Sequence, residues 1–139
     1  MSYELEFVML KPGVLEKRIV GQIVQRFEQR GLELKAIRVC MLRPLQLESL
    51  YREHKDKVFY NSLVQYMGSS KVMLMVWGGL QAVAVTRALV GATDPLQATP
   101  GSIRGDFALG MPENIVHASD SVQSATREIK LFFKASEFL

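Results

Sequence analysis

Cysteine is almost missing from this chain. Its one thiol, Cys40, cannot close an intrachain disulfide, so the composition gives no sign of an oxidising compartment. No Cys-x-x-Cys pair or His-rich run offers the spacing of a zinc site. Long apolar runs are missing too. The longest, Val72 to Trp77, falls far short of the roughly 20 residues that cross a bilayer. The first residues, Met1-Ser2-Tyr3-Glu4-Leu5-Glu6, carry acids where a signal peptide carries bases. The expectation is a cytoplasmic protein with no membrane partner. Neither Gly-x-x-x-x-Gly-Lys-Ser/Thr nor Gly-x-Gly-x-x-Gly occurs, so bound phosphate would be held by side chains and a metal. No repeat, low-complexity tract or linker interrupts the 139 residues, which read as one domain over 1–139.

What is present suits a folded domain. Hydrophobic residues make up 48% and charged residues 22%, which allows a sizeable core and argues against disorder. The net charge of +3 and pI of 9.1 are compatible with polyanionic small molecules, but many proteins without such ligands share them. Leu5, Phe7 and Met9 alternate with Glu4 and Glu6, which predicts an opening strand. Ile19, Val20, Ile23, Val24 and Phe27 recur at helical spacing, and Gly31 suits a left-handed stop. Leu34 to Leu42 predicts a second strand. Short helices follow over Leu45 to Glu53 and Phe59 to Met67. Val72 to Trp77 predicts a central strand, and Leu80 to Val90 a helix. Gly91 to Pro112 reads as a long loop. Ile115 to His117 reads as a short strand, and Ser121 to Phe133 as a last helix capped by Ser119 or Asp120. This order predicts an α/β sandwich of ferredoxin-like type, a four-stranded antiparallel sheet covered on one face by helices.

The segment Asn114-Ile115-Val116-His117-Ala118-Ser119-Asp120-Ser121 carries the sharpest chemistry. A histidine beside a helix N-terminus sits where N–H groups and the helix dipole favour phosphate. A neutral imidazole is a competent nucleophile toward phosphorus near neutral pH. Taken alone, a single histidine is more often structural. Arg87 shares a helical stripe with Leu80, Val83 and Ala84, so it points where apolar residues point. By spacing alone Phe59 belongs to the core with Leu63 and Met67, Tyr51 is an ordinary half-buried tyrosine, and Glu128 is a solvated carboxylate. His54 falls in the charged run Arg52 to Lys57 and reads as a surface residue.

The whole string Asn114-x-x-His117-Ala118-Ser119-Asp120 resembles the active-site signature of nucleoside diphosphate kinases. Pro100-Gly101-Ser102-Ile103-Arg104-Gly105-Asp106-Phe107 and Phe7-Val8-Met9-Leu10-Lys11-Pro12 resemble two further segments of that family. So does Val20 to Glu28. The resemblance covers essentially the whole chain. It implies that His117 carries a phosphoryl group on its pros nitrogen, in ping-pong transfer between nucleoside tri- and diphosphates such as ATP and GDP. It further implies that Lys11, Arg87, Arg104 and Thr93 contact phosphates and that Phe59 and Met111 flank the base. Asn114 would contact the sugar, and Tyr51, Ser119 and Glu128 would orient His117 or its phosphate. Mg²⁺ would ride on the nucleotide phosphates rather than in a protein cage. A homo-oligomer is implied, a hexamer in preference to a tetramer. Nucleic acid is not an expected partner.

Three departures stand out. Gly13 and Val14 replace the family's Asp-Gly after Lys11-Pro12, so this turn needs another backbone, since Val is poor at positive φ. Arg18 stands where glycine is usual. Val58 replaces a common proline and Leu50 a common histidine. A catalytically weak relative serving as a scaffold or nucleic-acid binder is the rival reading, and an unrelated ferredoxin-like module is the second. The retained Lys11, Arg87, Arg104, Asn114 and His117 argue against both.

Overall fold

The computed structural model describes residues 2–139. Four strands form one sheet: β1 (Tyr3–Leu10), β2 (Glu33–Cys40), β3 (Val72–Leu80) and β4 (Val116–Ala118). Their order is β2-β3-β1-β4, and every neighbouring pair is antiparallel. Six α-helices surround the sheet: α1 (Val20–Gln29), α2 (Pro44–Leu50), α3 (Tyr60–Met67), α4 (Ala82–Val90), α5 (Ile103–Phe107) and α6 (Val122–Phe132). The ferredoxin-like antiparallel sandwich is therefore observed.

Helices cover both faces of the sheet, not one. The period of two along β1 sends Val8 and Leu10 to one face and Phe7 and Met9 to the other. The first pair packs with Ile23 and Phe27 of α1, Ala82 and Val90 of α4, and Ile103 of α5. The second packs with Leu47 and Leu50 of α2, Met67 of α3, and Ile129 and Phe132 of α6. Stacked rings anchor each side, Phe27 on Trp77 at 4.9 Å and Phe7 on Phe132 at 5.2 Å. The alternation of Glu4 and Glu6 suggested an open face. That face is closed by α4, whose backbone Val83 N–H donates to Glu4.

Several boundaries differ from the sequence reading. β3 continues through Gly78 and Gly79 to Leu80, so α4 begins at Ala82. A Cβ on Gly78 would lie 2.3 Å from the Tyr3 hydroxyl, so the bare glycine lets the two strands keep their register there. The long loop contains α5, capped by the Ser102 hydroxyl, and a 3-10 turn at Pro95–Gln97 capped by Asp94. A five-residue helix is too short to show periodicity. Gly31 does take positive φ, +99°, after α1. After β1 the positive φ falls on Gly13 (+92°), which leaves Val14 right-handed and buried. Arg18 is left-handed at φ 57°, in the place where its neighbours would favour glycine.

Candidate active site

The end of β1 and the short β4 lie side by side, with Met9 paired to His117 and Leu10 to Val116. This pairing brings Lys11, just past β1, to the segment that leads into β4. Lys11 Nζ donates to Asn114 Oδ1, and the Lys11 N–H donates to Ile115 O at 2.9 Å. Asn114 Nδ2 donates in turn to Thr93 O at 2.9 Å, tying in the loop after α4. Between Asn114 and His117 the chain makes a sharp turn. The Val116 N–H donates back to Asn114 O at 2.8 Å, and Ile115 between them takes φ +73°. A buried β-branched residue in that region is strained, and such strain persists only where surroundings fix it. Here Arg104 helps to fix it. Its guanidinium, 3% exposed, donates to Asn114 O at 3.2 Å, Gly91 O at 3.1 Å and Val116 O at 2.6 Å.

These groups surround a cavity of about 310 Å³. Lys11, Tyr51, Arg87, Thr93 and Arg104 line it, as do Met111, Asn114, His117 and Glu128. Ser119 lies behind the lining, 1% exposed, with its hydroxyl donating to Glu128 Oε1 at 2.8 Å. His117 Nε2 meets the same Glu128 oxygen at 2.7 Å. Glu128 is therefore a buried anchor rather than a solvated carboxylate. Arg87 Nη1 donates to Ala118 O at 3.0 Å, which turns this residue from its helical stripe toward the histidine strand. Phe59 is 49% exposed at the start of α3, outside the core that Leu63 and Met67 join, and it does not line the cavity. Its ring lies 5.6 Å from that of His54, which does. Met111 is also exposed, at 57%.

The expected cap needs correction. Neither Ser119 nor Asp120 caps α6. Ser121 does, accepting from the Ser124 N–H at 3.0 Å. His117 therefore sits on a strand four residues before the cap, not at the helix mouth. Positive charge at the site comes from side chains. Burial, with the Arg104 charge second, lowers the Lys11 ammonium to about 8. Burial, followed by Arg87, brings Arg104 down to about 10. Three cations crowd one concave surface, an arrangement that costs stability and is relieved by an anion. The Tyr51 hydroxyl is pushed up by burial first and by Glu128 second, so it remains a proton donor.

Three residues around this site escaped the sequence reading. His54 is half-buried beside the cavity rather than solvated, and its Nδ1 is buried without a partner among the described residues. Arg127 joins the lining, with Nη1 donating to Ser49 O at 2.9 Å. Glu6, taken for a solvent-facing position, is 0% exposed. Only the last is at odds with its local pattern, and no signal in the sequence marks it.

Comparisons with known proteins agree with this geometry. The family model for nucleoside diphosphate kinase matches residues 4–138. A nucleoside diphosphate kinase of Methanocaldococcus jannaschii is 48% identical over 134 residues, 96% of each chain. Human nucleoside diphosphate kinase 3 is 46% identical over 99% of this chain and 82% of its own. Among solved structures, the apo nucleoside diphosphate kinase of Encephalitozoon cuniculi superposes with a TM-score of 0.95 at 38% identity, covering 98% of this chain and 92% of that one. The Halobacterium salinarum enzyme in complex with CDP gives 0.95 at 37% identity, covering 99% and 92%.

Proposed function

The chain belongs to the nucleoside diphosphate kinase family, and from that premise we propose that His117 carries the phosphoryl group from a nucleoside triphosphate to a nucleoside diphosphate. The observation that carries this reading is the bond between His117 Nε2 and Glu128. With Nε2–H directed at a carboxylate, the free lone pair belongs to Nδ1. Nδ1 attacks the terminal phosphorus, an N–P bond forms, and the bond from phosphorus to the bridging oxygen breaks. The diphosphate leaves with that electron pair. A terminal oxygen of a second diphosphate then attacks phosphorus and regenerates the imidazole. Glu128 stabilises the positive charge that the ring acquires, and Ser119 holds Glu128 in place. Lys11, Arg87 and Arg104 supply fixed positive charge around the migrating group, where phosphoryl transfer gains most.

Thr93 would bond a phosphate oxygen and Tyr51 the phosphohistidine. Asn114 would meet the sugar. Phe59 and Met111, both exposed, would flank the base, and an apolar platform tolerates any base. The reaction class uses a divalent cation, and magnesium bound to the phosphate oxygens would neutralise their charge. The lining suits that arrangement. It is rich in arginine and lysine, and the described residues hold no group of three or more His, Cys, Asp or Glu able to hold a metal. A homo-oligomer, hexamer before tetramer, is supported by the edge strand β2, which exposes Ile37 and Val39. A cytoplasmic setting is in keeping with the lack, among the described residues, of any helix long and apolar enough to cross a membrane.

The test is direct. Incubation with ATP and magnesium should leave about one acid-labile phosphate per chain on His117, discharged by GDP. His117→Asn should abolish the adduct while nucleotide still binds. Transfer that survives in this variant sinks the mechanism.

A further inference from the structure

Glu6 lies in β1, paired with Trp77 of β3, on the face that α4 covers. It is fully buried, yet its carboxyl has one hydrogen bond, Oε1 accepting from the Phe7 N–H at 3.0 Å. Oε2 is buried with no partner among the described residues. An ionised carboxylate offers about four acceptor sites, and one bond leaves most of its charge unsolvated. A carboxylic acid in the same place needs only one acceptor for its proton.

The neighbourhood offers one. The Ser119 hydroxyl approaches the Glu6 carboxyl, and it follows β4 directly, its own N–H donating to Phe7 O at 3.1 Å. Ser119 has a single hydroxyl proton, and that proton goes to Glu128 at 2.8 Å. The hydroxyl can therefore meet Glu6 only as an acceptor. The charged groups facing Glu6 are Glu128 from α6 and Arg87 from α4. β3 carries no titratable side chain, and β4 carries only His117. Burial outweighs the rest and raises Glu6 to about 9.

We propose that Glu6, as a neutral acid, is a further positioning residue of the phosphoryl-transfer site: its proton is donated to Ser119 Oγ, which orients the Ser119 hydroxyl on Glu128 and so holds Glu128 on His117. The order is Glu6 to Ser119 to Glu128 to His117, with one proton in each of the first two links. This inference rests on the phosphohistidine reading above. Each link polarises the next, so losing the first loosens the last.

The test compares Glu6→Gln, which keeps a donor, with Glu6→Leu, which does not. The rate of His117 phosphorylation is measured in a single turnover at saturating MgATP. Glu6→Leu should be about tenfold slower, the loss of one buried hydrogen bond, with nucleotide affinity within about twofold of the parent. Glu6→Gln should lose less than about threefold. In a Ser119→Ala background the two variants should differ by less than about twofold, because the link through which they act is gone. The parent rate should also fall as pH rises through about 9, and Glu6→Gln should lack that fall. Lys11 is common to both proteins, so the difference between the profiles belongs to position 6. A Glu6→Gln rate as low as that of Glu6→Leu, a full Glu6→Leu effect without Ser119, or matching pH profiles would each overturn the inference. If Glu6→Leu does not fold, the pH profile of Glu6→Gln alone decides. If the parent protein forms no phosphohistidine, the earlier reading fails and takes this one with it.

Discussion

Replacing Glu6 by Gln should make the folded protein more stable at neutral pH and leave it unchanged in acid. In the fold this carboxyl titrates at about 9 because burial penalises its charge, against an ordinary value of 4.5 in the unfolded chain. A raised folded-state value means that the native protein holds a proton the unfolded chain releases. The stability tied to that proton is fully present below 4.5 and is lost as pH rises toward 9. At pH 7 the loss is about 2.5 pH units at about 1.4 kcal/mol each, on the order of 3 kcal/mol. Gln has no proton to release, and its carbonyl keeps the bond from the Phe7 N–H. Urea denaturation at pH 4, 7 and 8.5 reads the difference. The two proteins should match at pH 4 and separate by about 1–2 M in midpoint at pH 7, with a wider gap at 8.5. Parallel curves across this range would mean that Glu6 is not held neutral, and the reasoning from burial would be refuted.

Three other outcomes are expected. Nucleotide affinity should weaken about tenfold or more as pH passes through about 8, where Lys11 loses its charge; titration calorimetry on the parent and on Lys11→Arg, which stays charged, isolates the effect. Glu128→Ala should slow phosphorylation of His117 by about 10²-fold with little change in nucleotide affinity, read by rapid quench, because the ring loses its tautomer partner. Arg18→Gly should stabilise the chain by about 0.5–1 kcal/mol, seen as a melting temperature about 2–4 °C higher, since the exposed Arg18 occupies a left-handed conformation that glycine adopts freely.

Much of the scaffold was legible. β3 announced itself as a central strand because both of its faces are buried, which removes alternation. Arg87 was legible as an inward residue because an arginine on an apolar stripe has few reasons to be there. His117 was legible through the string around it, not through its own properties. Other features depend on chain segments far apart in sequence. Glu128 looked solvated because its partners His117 and Ser119 meet it only when α6 folds back on the sheet. Glu6 looked polar-facing because α4, which covers it, begins some 75 residues later. The cap of α6 moved to Ser121 because β4 extends to Ala118, and pairing with β1 consumes residues that local pattern assigned to the helix entry. α5 was hidden by its length and by Gly105 within it.

The clasp made by Arg104 has a bearing on how this protein meets a protease. The stretch from Gly91 to Val116 carries little regular structure and much exposed backbone, which is ordinarily where chains are nicked. Yet one guanidinium holds its two ends and Asn114 near its close, so the stretch is a ring drawn shut at the neck rather than a free strand. Lysine in that place has no planar fork with which to reach three carbonyls. Cleavage within this ring therefore reports on the grip of Arg104, and it does so whether or not a nucleotide is ever turned over.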